Sequence, residues 1–304
     1  MIRASLRLLA LALLAAGCAE QGPERVAFVG ATILDGSGRT PLRNGVILVR
    51  GTHIEAMGPR ANVKLPRGTH EVDVSGAFII PGLVDAHAHV ARWALTRYLA
   101  FGVTSVRDMH GTMDSALALA QEADLNAMPS PRIFTAGAMI DGVPATYPDA
   151  QPVTNTTEAR RAVDRLSVAG TNLVKVYTRI TPPLLEAIVD EARTFQLPVA
   201  AHLGLTDAAT AAKAGVSSIE HLTGVPEAAG LAKPLMAAHE KGFFTGWTAF
   251  ERSWATLDSA ALTRVAQQLA TTQVTMVPTL ALHEIFSRLD DSTLQQNPDL
   301  QAMP

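Results

Sequence analysis

The chain has a single cysteine, Cys18, in 304 residues. No internal disulfide can form, and a body of this size needs none. Thiolate clusters are excluded as metal sites too, so any metal donors must be nitrogen and oxygen. Excess charge of one sign is also lacking, since 25 Lys and Arg stand against 28 Asp and Glu for a net −3. With no Lys/Arg run to form a basic patch, no nucleic-acid partner is expected. Internal repeats and low-complexity tracts are missing. What remains is 48% apolar and 17% charged. That balance suits a well-buried globular body, one large domain or one large plus one small.

The first residues, "MIRASLRLLALALLAAGCAEQ", differ from the rest. Arg3 and Arg7 precede an apolar run from Leu8 to Ala16, followed by small residues. This is a charged region, a short hydrophobic region and a cleavage-like segment. The run is too short to span a bilayer, which takes about 20 residues. Residues 1–18 are therefore read as a secretory signal. "LLAAGC" resembles a bacterial lipoprotein signal in which Cys18 becomes the lipidated first residue. It departs from that pattern in having Ala15 three places before the cysteine, with Leu14 one place earlier. The expected location is the cell envelope, lipid-anchored, with Ala19 favouring the outer membrane facing the periplasm. Plain secretion to the periplasm is the alternative.

Residues 24–80 read as β-structure. "VAFVGATILDG" is a strand ending at Asp35-Gly36, and Asn44-Gly45 opens "NGVILV" as a hairpin signal. "THIEAMG" and "HEVDVSGAFIIPG" add short strands punctuated by Gly and Pro. His53 and His70 lie among polar residues and are taken as surface histidines. From residue 81 to 304, short apolar runs alternate with helical stretches. "LVDAHAHV", "VTSVRDM", "RIFTAG", "NLVKVY", "LPVAAHLG", "VSSIEHLTG", "FFTGWT" and "VTMVPTL" are the strand candidates. Alternation of this kind argues for an α/β fold with a parallel sheet and outer helices, of the TIM-type (β/α)8 barrel class. Catalytic side chains in such barrels sit at the C-terminal ends of strands.

The histidines follow that rule. "IIPGLVDAHAHV" is nearly all apolar until Asp85, His87 and His89. Side chains at i and i+2 of a strand share a face, so His87 and His89 project together and can reach one cation. His202 ends "LPVAAH" and His221 ends "VSSIEH". Lys175 sits inside "NLVKVY", where a buried ammonium is expensive unless paired or neutralised. Each feature alone has an ordinary reading: a packed core histidine, or a snorkelling lysine. The four histidines and one lysine together, each near a strand end, are harder to obtain by accident.

Taken together, "IPGLVDAHAHV", "LVKVY", "VAAHLG" and "SIEHLTG" resemble the metal-dependent amidohydrolase superfamily, in its imidazolonepropionase-like and Xaa-Pro dipeptidase-like branch. "GVTSVRDM" and "VTMVPTL" fit the same branch. The resemblance implies a small N-terminal β-sandwich before the barrel. It implies that His87 and His89 bind one metal and that His202 and His221 bind a second. Lys175, carboxylated by CO2, would bridge the two. Zinc is the metal it points to, with one or two ions bound. Two such ions lower the pKa of a bridging water, and the hydroxide attacks an amide, cyclic amide or dipeptide carbonyl. The partner implied is a small-molecule substrate.

The resemblance also calls for an aspartate after the eighth strand, acting as general base and acid. Asp258 begins a helical stretch, and Asp290 and Asp291 lie in "SRLDDSTLQQ" with no strand before them. The expectation is a barrel of strands one to seven only, incomplete at its C-terminus, a fragment of a hydrolase. The alternative is a lipoprotein that binds metal or ligand without turnover. Open strand edges would favour association of the chain with itself. Tyr177, His110, Arg107 and His283 are secondary candidates for substrate contact. For Arg107 an internal salt bridge with Asp108 is the competing reading, and for Tyr177 plain packing. Trp247 and Trp254 either wall a pocket or fill the core. His239, in "MAAHEK", is expected at the surface.

Overall fold

The computed structural model describes residues 24–298 and 300. The leader-like segment and Cys18 fall outside the described residues. The chain divides into two compact units, Met1–Pro81 and Gly82–Pro304.

In the first unit the strands are β1 (Arg25–Ile33), β2 (Leu42–Arg50), β3 (His53–Pro59), β4 (His70–Asp73) and β5 (Phe78–Ile79). They form one five-stranded sheet in the order β3-β2-β1-β4, with β5 also on β1. The described residues of this unit hold no second sheet to complete a sandwich. Alternation along β1 and β2 buries Ala27, Val46 and Leu48 with Val63 as its small core. Asn44-Gly45 is not a turn. It lies within β2, with Asn44 at φ 48, where the register against β1 shifts. Glycine is needed there because a Cβ on Gly45 would strike Ile33. His53 and His70 are exposed, as their polar surroundings suggested.

The second unit alternates strands and helices. It begins with β6 (Leu83–Ala88), α1 (Leu95–Ala100), β7 (Val103–Asp108), α2 (Met113–Asp124) and β8 (Arg132–Thr135). The short strands β9 (Ile140–Asp141) and β10 (Gln151–Pro152) come next, then α3 (Thr156–Ala169) and β11 (Val174–Val176). Next are α4 (Pro182–Thr194), β12 (Val199–Ala201), α5 (Ala208–Ala214) and β13 (Ser218–Glu220). The series continues with α6 (Ala232–Lys241), α7 (Phe243–Ser253), α8 (Ser259–Ala270) and β14 (Thr275–Val277). Two short helices follow, α9 (Leu280–Ser287) and α10 (Ser292–Gln295).

All pairings in this unit are parallel. The strands fall into a three-stranded sheet, β6-β7-β8, and a six-stranded sheet, β10-β9-β11-β12-β13-β14. Asn172 stitches them: its side chain accepts the Thr135 N–H at 2.9 Å, and its own N–H donates to the Thr135 carbonyl. Among the described residues β6 pairs only with β7 and β14 only with β13, so the sheets do not close into a barrel.

Local signals set the helix ends. Asn155 and Asp207 cap α3 and α5 by accepting N–H groups of Glu158 and Thr210. Gly170 and Gly215, at φ 86 and 99, end the same two helices. The apolar stripes of α3 and α4, including Leu166, Leu185 and Ile188, pack on β11 to β13 in the main core. Each such side chain contributes about 1.5–3 kcal/mol by burial.

Two further expectations fail here. "FFTGWT" is not a strand but the start of α7. Phe243, Trp247 and Phe250 recur at helical spacing, and Gly242, at φ 140, separates α7 from α6. His239 is buried rather than at the surface, with Nε2 3.7 Å from Glu227 Oε1. Its ring occupies the notch left by Gly246, where a Cβ would collide with it. Burial lowers the His239 imidazole to about 4 and raises the Glu227 carboxyl to about 7.

Candidate metal centre

Parallel strands deliver their C-terminal ends to one rim, and there the expected donors gather. His87 is the penultimate residue of β6, and His89 lies just past its end. His202 follows β12, and His221 follows β13. The His87 ring lies 4.4 Å from that of His221 and 5.6 Å from that of His89, centroid to centroid. His202 lies 4.7 Å from His221. All four line one cavity of about 990 Å3.

Hydrogen bonding fixes which ring nitrogen each histidine presents. The Nδ1 of His87 is 2.7 Å from a carboxylate oxygen of Glu220, an acceptor only, so Nδ1 carries the proton. The Nδ1 of His89 likewise donates to the His110 carbonyl at 3.3 Å. The Nδ1 of His221 is 2.7 Å from Thr279 Oγ1, whose own hydrogen is directed to the Pro278 carbonyl. Thr279 therefore accepts from His221. In all three rings the Nε2 lone pair is left free, the arrangement by which an oxygen acceptor behind a metal-binding imidazole fixes its tautomer. His202 is buried with neither ring nitrogen hydrogen-bonded. Burial lowers the pKa of all four, so they are neutral donors near pH 7.

Lys175, in the middle of β11, is 1% exposed, and its Nζ has no hydrogen-bond partner. Burial pushes the ammonium down to about 8, against the pull of the Glu220 carboxylate. An orphaned buried amine beside an orphaned buried imidazole suits a site that takes a further group. The donor set of neutral nitrogens fits a divalent metal. Among the described residues, however, no three His, Cys, Asp or Glu side chains close onto one point as a finished metal cluster.

Backbone strain collects here. His221 and Leu222, at φ 60 and 61, and Thr279, at φ 49, are non-glycine residues in the left-handed region. Such conformations persist where the surroundings over-determine them, and they cluster at working sites.

Glu220 was not singled out in the sequence. It is fully buried, accepting from Ser218 Oγ at 2.6 Å and Arg107 Nη2 at 2.9 Å as well as from His87. Burial alone would raise its carboxyl. The His87 hydrogen bond, the charges of Lys175 and Arg107, and the Ser218 hydroxyl outweigh that and hold it below its ordinary value. The signal was available, because an acid inside the apolar run "VSSIEH" must be paired, as Lys175 must be.

The secondary candidates separate. Tyr177 lines the cavity, with its ring 4.5 Å from His202, and burial raises its hydroxyl pKa. Arg107 does not line it. Its guanidinium donates to the Ala86 carbonyl, Ser218 and Glu220, so the internal salt bridge is to Glu220 rather than Asp108. His110 has both nitrogens engaged, Nδ1 accepting from Met139 N–H and Nε2 donating to Asp149. Its carbonyl orients His89. His283 sits behind the wall, hydrogen-bonded to Glu251 at 2.8 Å and stacked on Trp247 at 5.9 Å. Trp247 lines the cavity, while Trp254 packs against the core. Asp258 and Asp291 are helix caps. Tyr147, Phe243 and Thr279 line the cavity without having been foreseen.

The Amidohydrolase family pattern matches residues 78–283, the stretch that carries every donor described above. The chain belongs to the amidohydrolase family. It is 36% identical over 76 residues to a 5-methylthioadenosine/S-adenosylhomocysteine deaminase of Symbiobacterium thermophilum, covering 25% of this chain and 17% of that protein. It is 42% identical over 50 residues to an imidazolonepropionase of Chloroflexus aggregans, covering 16% and 12%. The shared stretches thus span less than a fifth of either relative. Its fold is similar to that of a putative prolidase from Bifidobacterium longum, with a TM-score of 0.60 and 23% identity over 82% of this chain and 69% of that one. At that identity the likeness is one of fold alone.

Proposed function

We propose that this amidohydrolase is a metal-dependent hydrolase of carbon–nitrogen bonds in small amides, cyclic amides or dipeptides. The observation that carries the reading is the set of three tethered Nδ1 protons, on His87, His89 and His221, beside the unpartnered His202 and Lys175. His87, His89, His202 and His221 would hold one or two divalent cations, zinc foremost. Such cations would make a nucleophile of water near neutral pH and polarise the scissile carbonyl. The names of the deaminase, imidazolonepropionase and putative prolidase relatives support the bond class.

The chain's own groups have definite tasks. Lys175, at about 8, is neutral in roughly a quarter of molecules at pH 7.5. That neutral amine can add to CO2, forming an N–C bond and releasing a proton, to give an anionic carbamate. The change replaces a costly buried ammonium by a ligand for cations. Glu220, His110 and Thr279 hold the imidazoles in the required tautomer. Tyr177 keeps its proton because of burial, so its Oη can donate to a developing oxyanion.

A second reading, metal or ligand binding without turnover, draws on the lining carboxylates. Asp85 accepts the His87 N–H, and Glu251 bonds His283, so both are engaged. The leader-like segment and Cys18 support a lipid-anchored envelope location for either reading. Elemental analysis of the purified full chain tests the metal: zinc or another divalent ion is expected, with loss in His202→Ala. A wild-type chain that stays metal-free after exposure to zinc and bicarbonate refutes the proposal. Hydrolysis of an amide and dipeptide panel by the metal-loaded chain separates the two readings.

A further inference from the structure

The cavity has a second component, of which only the Tyr177 hydroxyl has a role so far. Beside the histidines stands a wall of aromatic rings. Phe243 and Trp247 are i and i+4 on α7, so they share a face. The Phe243 ring lies 5.8 Å from Tyr177 at 22° and 6.1 Å from Trp247 at 21°, giving three near-parallel faces in a row. Tyr147 closes one end, 5.5 Å from Tyr177 at 63°. The wall adjoins the donors: His202 is 6.0 Å from Phe243 and 5.5 Å from Trp247. At the mouth, Phe244 is 81% exposed, and Leu280, Phe286 and Leu289 are exposed around it.

The spacing restricts how a ligand can meet this wall. Directly contacting aromatic pairs have centroids about 4.5–7 Å apart. The rings at 5.8 and 6.1 Å already touch, so no ligand ring fits between them. A ligand ring must lie against the wall, inside the cavity of about 990 Å3. The charges restrict its chemistry. Lining carboxylates are Asp85 and Glu251, and the lining cation is Arg252, which is exposed. Arg107 is held by Glu220 and is not in the lining. A charged group against these ring faces would lose its water; the cations at hand are the exposed Arg252 and the half-buried Arg179, which lines the adjoining pocket with Tyr147, Phe243 and Phe244.

We propose that this wall is a substrate subsite for an uncharged aromatic or fused-ring group carried within one or two atoms of the scissile carbonyl. The inference rests on the hydrolase reading and adds a substrate class to it. The aromatic group is bound by the wall alone, so its recognition is separable from metal and turnover.

The test is binding to the purified full chain, followed by Trp fluorescence and calorimetry, with 1-naphthaleneacetamide and acetamide as probes. The naphthyl probe is expected to bind at least about tenfold more tightly. Phe243→Ala should remove most of that preference, Phe243→Leu should remove part of it, and Phe101→Ala, far out on the surface, should leave it unchanged. Equal binding of the two probes overturns the proposal. So does a naphthyl preference unaffected in a folded Phe243→Leu protein, with far-UV circular dichroism reporting the fold. His87→Ala separates the two readings. If metal is lost and the naphthyl preference stays, the subsite stands by itself. If the loaded chain hydrolyses amides without aryl preference, the subsite fails and the hydrolase reading survives.

Discussion

Replacing Lys175 by methionine should stabilise the metal-free chain while abolishing its chemistry. A drop in the Lys175 pKa from 10.5 to about 8 corresponds to on the order of 3 kcal/mol against the charged form in the fold. The side chain is 1% exposed, so solvent screening does not discount this much. Below about pH 8 the folded and unfolded chains both carry the proton, and the full cost is felt. Between about 8 and 10.5 the folded chain sheds it first and the unfolded state binds more protons, so wild-type stability climbs with pH. Methionine keeps the apolar stem and removes the charge. Urea unfolding of both proteins, in chelator and CO2-free buffer, should show Lys175→Met more stable by about 3 kcal/mol at pH 7. The gap should narrow to under about 1 kcal/mol at pH 10. A methionine variant less stable at pH 7, or a gap that does not change with pH, would refute the reasoning. Excess bicarbonate and zinc should then narrow or reverse the gap, because the carbamate forms only in the wild type and would add its ligand to the four histidines that both proteins share.

Glu220→Gln keeps an acceptor for His87 but removes the charge between Lys175, Arg107 and His87. Metal affinity should fall by roughly 10–100-fold, read by competition with a chromophoric chelator. Thr279→Val takes away the acceptor that holds the His221 proton. About 1–3 kcal/mol of stability should be lost in urea, with weaker metal binding, whereas Thr279→Ser, which keeps the hydroxyl and drops only the methyl, should largely retain both. Leu185→Ala, in the core of α4 and away from the cavity, should cost about 2–5 kcal/mol with metal content per folded molecule unchanged.

Much of the second unit was legible in the sequence. The runs "NLVKVY", "LPVAAHLG" and "VSSIEHLTG" are continuous and apolar because β11, β12 and β13 are buried on both faces, so they could be located directly. The histidines at their ends followed from the strand-end rule. "FFTGWT" misled because six residues sample less than two helical turns, and its aromatic content favours strand on propensity alone. Asn44-Gly45 misled because the left-handed backbone that Asn44 adopts serves a hairpin turn or a mid-strand irregularity alike, and only the pairing of β1 with β2 tells them apart. Arg107 and His110 were read as reaching substrate because sequence shows that a polar side chain nears the rim but not whether its hydrogen bonds are already made.

The sequence by itself determined which histidines, and which lysine, stand in or at the ends of the parallel strands, and in what order. Composition, periodicity and strand-end position are properties of the chain read locally. Only the tertiary structure decided which nitrogen each histidine presents, that Glu220 stands behind His87, and that Tyr177, Phe243 and Trp247 line up as one wall. Those contacts join residues such as His87 and Glu220, or His221 and Thr279, that lie far apart in the chain. A hydrogen bond depends on distance and direction, which no sequence spacing sets until the strands are packed side by side.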